Sequence, residues 1–375
     1  MALARLLLTV CFTLTLMDSA LSDDKLVISR EKAFARDGHV LADKFQLWPV
    51  VQNPGRIFAQ DVSASVQSRS MRLHFVVKSS SAAAPWTLKV VDSKSKEWTV
   101  KSDSARGEFW TIDLEGSSAN VQIFSESAKN PVKLLIDKIA ISTPPIKPQS
   151  IVGPDDRRPI LTQTAKIQGW GASVARIRFI GDDGVQYFCS GFLLTSQLLI
   201  TNQHCLSSPT EMRSALIDFN YDSDGAKMTT VTCTDLVAVD EALDYSIVRL
   251  SSSPGVAPLK LTDIDISESE PLLIIEHPGG ETKQVSIIDC KVDHSSVAGT
   301  SPAATDFGHD CDTLGGSSGS PVQDIATGNV VGLHHLGIPE GTDILMNRAV
   351  KMKLILKSLG QKSPATLNEI GTAQK

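Results

Sequence analysis

The chain has 375 residues, of which 42% are hydrophobic and 21% charged, with a formal net charge of -6. The length is generous for one core and suits two domains. The composition excludes a disordered chain, and the acidic balance argues against a nucleic-acid partner, whose phosphates call for a basic face.

In chain order, residues 1–22 read as a secretory signal. Arg5 supplies the positive start, Leu6 to Leu16 the short apolar run, and Ala20-Leu21-Ser22 the small residues before a cleavage at Asp23. The run is too short to span a bilayer and no later stretch approaches about 20 apolar residues, so no transmembrane segment is expected. Cys11 is set aside as a lipid-anchoring cysteine, because Val10 before it is bulky and the apolar run continues past it. The expected location is secreted or periplasmic. Cys189, Cys205, Cys233, Cys290 and Cys311 remain after removal. Oxidising surroundings permit disulfides among them, and an odd count leaves at least one thiol over.

Residues 23–142 carry short alternating runs, Met71 to Val76, Trp86 to Val91, Val121 to Phe124 and Lys133 to Ile141, separated by Ser, Gly, Asn and Asp clusters. This predicts an antiparallel β-sandwich, an accessory domain or a pro-domain. Trp48, Trp86, Trp98 and Trp110 lie in it. They are expected to fill the core or anchor strands, the other reading being a surface or carbohydrate contact. Residues 143–150 form a Pro-rich linker. The second domain, 151–360, is also strand-rich: Ala175 to Ile180, Gly191 to Thr201, Tyr245 to Leu250, Leu272 to Ile275 and Val330 to His334. Strict βαβ alternation is absent, which disfavours a doubly wound sheet. Val350 to Leu359 predicts a closing helix, and 361–375 a flexible tail. The fold class is all-β.

Three segments carry the chemistry: Leu198 to Cys205, where a buried strand ends at a His-Cys pair; Leu243 to Leu250, where an Asp opens an apolar strand; and Thr313 to Val322, a Gly- and Ser-rich turn. A serine hydroxyl needs a base to take its proton during attack, and an imidazole titrates near neutrality. A buried carboxylate fixes the tautomer of that imidazole and stabilises its protonated form. These roles fall to Ser318, His204 and Asp244, with the backbone N–H groups of Gly316 and Ser318 as an oxyanion hole. Gly315 to Gly319 also fits G-x-S-x-G with Ser317 as the nucleophile, followed by Asp324 and by His334 or His335. That α/β-hydrolase-type esterase is the minor alternative. C-x-x-C spacing and H-E-x-x-H are absent, so no catalytic metal and no cofactor are expected.

The order His204, Asp244, Ser318 resembles the chymotrypsin-like serine peptidases. The stretches Ile151 to Arg157, Thr201 to Cys205, Asp244 to Leu250, His277-Pro278-Gly279-Gly280, Gly315 to Pro321 and Gly332-Leu333-His334 look most like the glutamyl endopeptidase (V8-like) branch and related trypsin-like peptidases. The resemblance covers residues 151–360. It implies a double β-barrel with a C-terminal helix, preceded here by the smaller sandwich, and a secreted endopeptidase acting on proteins or peptides. It implies that Thr313 and His334 line the S1 pocket and favour an acidic P1 residue. It also implies a Cys189–Cys205 disulfide bracing His204. Cys290 and Cys311 are candidates for a second bridge beside Ser318, with Cys233 free, although connectivity cannot be read from sequence. Ser150-Ile151-Val152-Gly153 resembles a zymogen junction, but Ser317 stands where the trypsin-type switch needs an Asp. Maturation by another logic, or a retained first domain, are both open. A non-catalytic binding protein on the same scaffold is the second functional class.

Overall fold

Among the described residues, the first region holds ten strands: β1 (Ala35–Leu41), β2 (Phe45–Leu47), β3 (Gly55–Ser63), β4 (Ser70–Val77), β5 (Trp86–Asp92), β6 (Glu97–Lys101), β7 (Glu108–Trp110), β8 (Leu114–Glu115), β9 (Ser118–Ser125) and β10 (Leu134–Ile141). The structure is a computed structural model that describes residues 35–41, 45–47, 55–64, 68–78, 85–105, 107–125, 132–142, 149–182, 184–300, 303–337 and 346–374. The expected signal segment with Cys11, Trp48, and residues 143–148 of the expected linker lie outside the described residues. In β5, Trp86, Leu88 and Val90 are buried while Thr87, Lys89 and Val91 between them are half-buried. This period of two places one face of the strand against the core. One sheet runs β3-β9-β5-β6; the other has β4 and β10 at its centre. Leu73, Phe75, Leu88, Val121, Ile123 and Ile136 pack between the two, and each such side chain contributes about 1.5–3 kcal/mol on burial.

The second sheet does not stop at the sandwich. β1 pairs with β10 on one side (His39 opposite Ile141) and with β14 of the following barrel on the other (Ala35 opposite Phe188). Arg72, 2% exposed, donates from Nε to Thr111 O and from Nη2 to Ser214 O, at 3.0 and 2.8 Å. Arg178 pairs with Asp113 across the same junction.

After β11 (Gln149–Ser150) and β12 (Arg158–Pro159) comes the first barrel: β13 (Val174–Ile180), β14 (Val185–Leu193), β15 (Leu198–Thr201), β16 (Leu216–Phe219), β17 (Thr229–Asp240) and β18 (Tyr245–Leu250). Its order is β13-β16-β17-β18-β15-β14, closed by β13 against β14. The single strand expected over Gly191–Thr201 is in fact two. Thr195 Oγ1 accepts from the N–H groups of Gln197 and Leu198, at 3.2 and 2.9 Å, and turns the chain.

The second barrel holds β19 (Leu272–Glu276), β20 (Gln284–Ser286), β21 (Val292–Val297), β22 (Asp306–His309), β23 (Thr313–Leu314), β24 (Pro321–Asp324), β25 (Val330–Leu336) and β26 (Asn347–Lys351). Its sheet runs β12-β20-β19-β24-β25-β26-β22-β21, while β23 pairs with β11. Helix α1 (Ala165–Gly171) precedes the first barrel, α2 (Pro209–Ser214) packs on it, and α3 (Met352–Lys362) and α4 (Pro364–Ala373) follow the second. Ile355 and Leu359 of α3 join Phe192, Ile200, Ile247 and Leu333 in the core between the barrels.

The tail expected over 361–375 is instead largely α4. Pro364 opens the helix at its first turn. Ile370 is buried, Glu369 pairs with Arg249 at 2.9 Å, and Gln374 bonds Leu259 O and Leu261 N. The apolar positions that dock it are too few to register as a periodic pattern. Every strand pair among the described residues is antiparallel, so the parallel sheet that an α/β-hydrolase requires is not what this chain builds. The fold is all-β: a chymotrypsin-like double barrel with C-terminal helices.

Candidate active site

Register brings the first two residues together. β15 and β18 are antiparallel neighbours with Thr201 opposite Ser246, so the residues after one strand face the residues before the other. Asn202 Nδ2 donates to Asp244 O at 2.9 Å. The Asp244 carboxylate then takes His204 twice: the backbone N–H on Oδ1 at 2.9 Å and Nδ1 on Oδ2 at 2.7 Å. Asp244 sits at φ +43°, a left-handed conformation that aspartate tolerates better than most side chains. Burial pushes the Asp244 pKa up, but His204 and His335 outweigh it and hold the carboxyl below its ordinary value. The Cys189–Cys205 disulfide ties the His204 turn to β14, and Ser246 Oγ donates to Leu206 O at 2.6 Å. Cys189, Cys205 and His204 present a compact set of metal-ligand atoms, but both sulfurs are consumed in the bridge, so no thiolate pair is offered there.

Ser318 lies in the turn between β23 and β24, and that turn is held by both barrels. Ser190 N of the first barrel donates to Ser318 O, at 2.8 Å, and Gly319 N donates to His334 O of the second, also at 2.8 Å. A Cβ on Gly319, at φ +88°, would sit 2.1 Å from Ser190 O and 2.4 Å from Thr201 Oγ1. Glycine is what lets the turn dock this closely. The peptide groups around Ser318 are oriented from behind. Gly315 O accepts from Gly279 N at 2.7 Å, and Ser317 O accepts from Ser320 N at 3.0 Å. In a trans peptide the C=O and N–H point in opposite directions. Both anchors therefore turn the N–H groups of Gly316 and Ser318 away from the carbonyls' partners. Ser317 is fully buried and its Oγ accepts from Leu314 N at 3.1 Å, so its hydroxyl serves the turn itself.

Thr313 and His334 flank this turn. The Thr313 hydroxyl is buried and makes no hydrogen bond among the described residues. His334 N donates to Ser320 O, and its ring Nδ1 lies 3.2 Å from His309 Nε2. Burial, with its cationic neighbours, drives His334 well below the ordinary imidazole range and His309 to about 3, so both rings are neutral at physiological pH. Cys290 and Cys311 are joined in a second disulfide beside the strand that leads to Ser318. Cys233 is the free thiol among the described cysteines, pushed up to about 12 by burial. The Asp312 carboxylate takes Val152 N and Asp156 N, each at 2.8 Å, so the segment after the sandwich is docked on the strand that opens the Ser318 turn.

Three groups at the site, Ser190, Glu276 and Asp306, escaped sequence reading, and His335 was read only as a candidate of the esterase alternative. Ser190 bonds Gly316 O with its hydroxyl and receives His277 N on the same oxygen, at 3.0 and 2.9 Å. His335 contacts Asp244, Asp306 contacts His335, and Glu276 lies buried behind Ser317. The His334-His335 doublet is a visible signal. Ser190, Glu276 and Asp306 stand in ordinary strand sequence with nothing to mark them.

Residues 189–333 match the family described as the trypsin-like peptidase domain. The matched segment lies on the two barrels of the all-β fold. The chain is 27% identical over 211 residues to the secreted RxLR effector protein 73 of Plasmopara viticola, an alignment covering 50% of this chain and 51% of that protein. It is 31% identical over 171 residues to the uncharacterized protein y4fB of Sinorhizobium fredii (strain NBRC 101917 / NGR234), covering 40% and 25% respectively. The chain therefore spans about half the length of the first relative and a quarter of the second. Among solved structures, the active form of the Rv3671c protease from M. tuberculosis is similar at TM-score 0.44 and 16% identity, over 55% of this chain and 87% of that one. The scabies mite inactivated protease paralogue S-I1 is similar at TM-score 0.39 and 15% identity, over 51% and 93%.

Proposed function

We propose that this chain is a secreted serine endopeptidase with His204, Asp244 and Ser318 as its catalytic triad. The observation that carries the reading is the double grip of the Asp244 carboxylate on His204, ring and backbone together, at the seam where the Ser318 turn is docked. Ser318 attacks the scissile carbonyl while His204 takes its proton on Nε2. Asp244 holds the Nδ1–H tautomer and stabilises the imidazolium. The tetrahedral oxyanion rests on the N–H groups of Gly316 and Ser318. His204 then protonates the leaving amine, and water repeats the cycle on the acyl-enzyme. Export is supported by the N-terminal signal pattern and by two disulfides, which persist in oxidising surroundings. No helix among the described residues is long and apolar enough to cross a membrane.

The test is a fluorophosphonate probe on the full-length protein with peptide mapping. Label on Ser318, lost in Ser318→Ala, is the expected result. Absence of label on wild type sinks the reading and favours a binding protein on a peptidase scaffold. We also propose that Thr313 and His334 line the S1 pocket and select an acidic P1 residue, as in the V8-like branch. The buried Thr313 hydroxyl, which makes no hydrogen bond among the described residues, offers a donor to a carboxylate. A peptide library is expected to enrich Glu or Asp at P1, and a flat profile there removes this part of the reading alone.

A further inference from the structure

His335 has a carboxylate at each end of its ring. Nδ1 lies 3.1 Å from Asp244 Oδ2, and Nε2 lies 2.7 Å from Asp306 Oδ2. Asp244, His335 and Asp306 are 2%, 1% and 0% exposed, so water does not mediate these contacts. An ionised carboxylate has no proton to give, so each contact takes an N–H from the ring. A neutral imidazole has one N–H, and only the imidazolium serves both. Burial pulls the His335 pKa down, but the charge of Asp306 and the hydrogen bonds to both carboxylates outweigh it and raise it to about 9. The other titratable groups facing this cluster are His204, His334, His309 and Lys351, from the His204 turn, β25, β22 and β26.

The far end of this arrangement is anchored. Thr305 Oγ1 donates to Asp306 Oδ1 at 2.9 Å, and Asp306 stands opposite Val350 in the β22–β26 pairing. Asp306 and His335 belong to the second barrel, Asp244 and His204 to the first. Rotation of a carboxylate about χ2 meets only a broad, shallow barrier, so a lone Asp244 is poorly fixed by its own backbone. Donors converging on Oδ2 from two barrels fix its plane and, through it, the His204 ring.

We propose that His335, clamped by Asp306, is a positioning residue that locks the Asp244 carboxylate against the His204 imidazole and aligns the triad across the two barrels. The inference rests on the triad reading given above. The trio of two carboxylates and one imidazolium carries a single net negative charge, as a lone aspartate does. The clamp adds rigidity without cancelling the charge that stabilises protonated His204.

The first measurement uses the wild-type full-length protein with nitrogen-15-labelled histidine. Two protonated ring nitrogens on His335 at neutral pH are expected, and a neutral tautomer overturns the proposal. Asp306→Asn and His335→Gln are then compared with wild type on a peptide ester. The expected result is a fall in kcat of about ten- to a hundredfold, the range of groups that orient a functional residue from behind, with KM little changed. The low-field proton resonance of the His204–Asp244 hydrogen bond is expected to shift as well. A kcat within about twofold of wild type, with that resonance unmoved, overturns the positioning role while the triad stands. Asp306→Asn is nearly isosteric and carries the comparison if His335→Gln does not fold. Failure of wild type to label at Ser318 defeats the triad reading, and this inference with it.

Discussion

The sandwich and the cleft between the barrels bury different things. Between its sheets the sandwich holds Leu73, Phe75, Leu88, Val121 and Ile136, side chains whose transfer from water is favourable wherever they go. The cleft holds His204, Asp244, Glu276, Asp306, His309, His334 and His335, ionisable groups whose desolvation opposes folding unless each finds a partner. Most of them do: His204 and His335 on Asp244, His335 on Asp306, His309 on His334. The difference separates two uses of burial. One region spends its interior on stability, and the other accepts an electrostatic cost to fix protonation states and directions. The sandwich's own fully buried cation, Arg72, obeys the same division, because one of its two bonds leaves the sandwich for Ser214 O beside the first barrel.

The comparison is broken most severely at the proposed triad. Asp244→Asn keeps the shape but offers His204 a side chain that no longer enforces the tautomer. A loss of about ten-thousandfold in kcat is expected, with the fold retained; steady-state kinetics beside circular dichroism check it. Arg72→Met acts on the other side of the division. It removes the bonds to Thr111 O and Ser214 O, and a loss of roughly 1–3 kcal/mol in denaturant unfolding is expected, without change in turnover per folded molecule. If turnover falls in step with stability, the sandwich takes part in shaping the site.

The smallest expected effect concerns Glu276, a carboxyl fully buried behind Ser317. Burial pushes its pKa from an ordinary 4.5 up to about 8, against the pull of Arg157. The folded state thus holds this proton more tightly than the unfolded chain. The associated stability is fully present below about pH 4.5 and is lost as pH rises through about 8. Glu276→Gln is expected to remove that decline and to exceed wild type above pH 8 by roughly 1 to 3 kcal/mol. Unfolding midpoints measured from pH 4 to 9 test it, and parallel curves for the two proteins refute it. His335 adds a decline of the same sign, present below its ordinary 6.5 and lost through about 9.

Much of the fold was legible in the chain itself. Alternation in Trp86 to Val91 marked a sandwich strand, and the apolar run Tyr245 to Leu250 marked β18, because a strand's two faces demand different residues two positions apart. His204, Asp244 and Ser318 were legible as residue types in an order and a local setting. Where periodicity was weak, the reading failed: α4 has too few docking side chains to announce itself, and the strand reading ran through Thr195-Ser196-Gln197, the polar residues at which the chain turns.

The sequence by itself determined the chemical vocabulary of this protein: an alternating β pattern, a hydroxyl, an imidazole and a carboxylate each set at a strand end, and cysteines able to pair. Local pattern carries that much because secondary structure and turn chemistry are decided by near neighbours. Only the tertiary structure decided which groups touch. Thr201 opposite Ser246 sets His204 on Asp244, β1 welds the sandwich to the barrel, and two barrels folding against each other deliver Asp306 and His335 to the back of Asp244. Asp244 and Asp306 are 62 positions apart (306 minus 244), and no local rule reads a contact at that separation. Direction, burial and the charge state of a buried ring arise from packing, and packing is a property of the assembled chain.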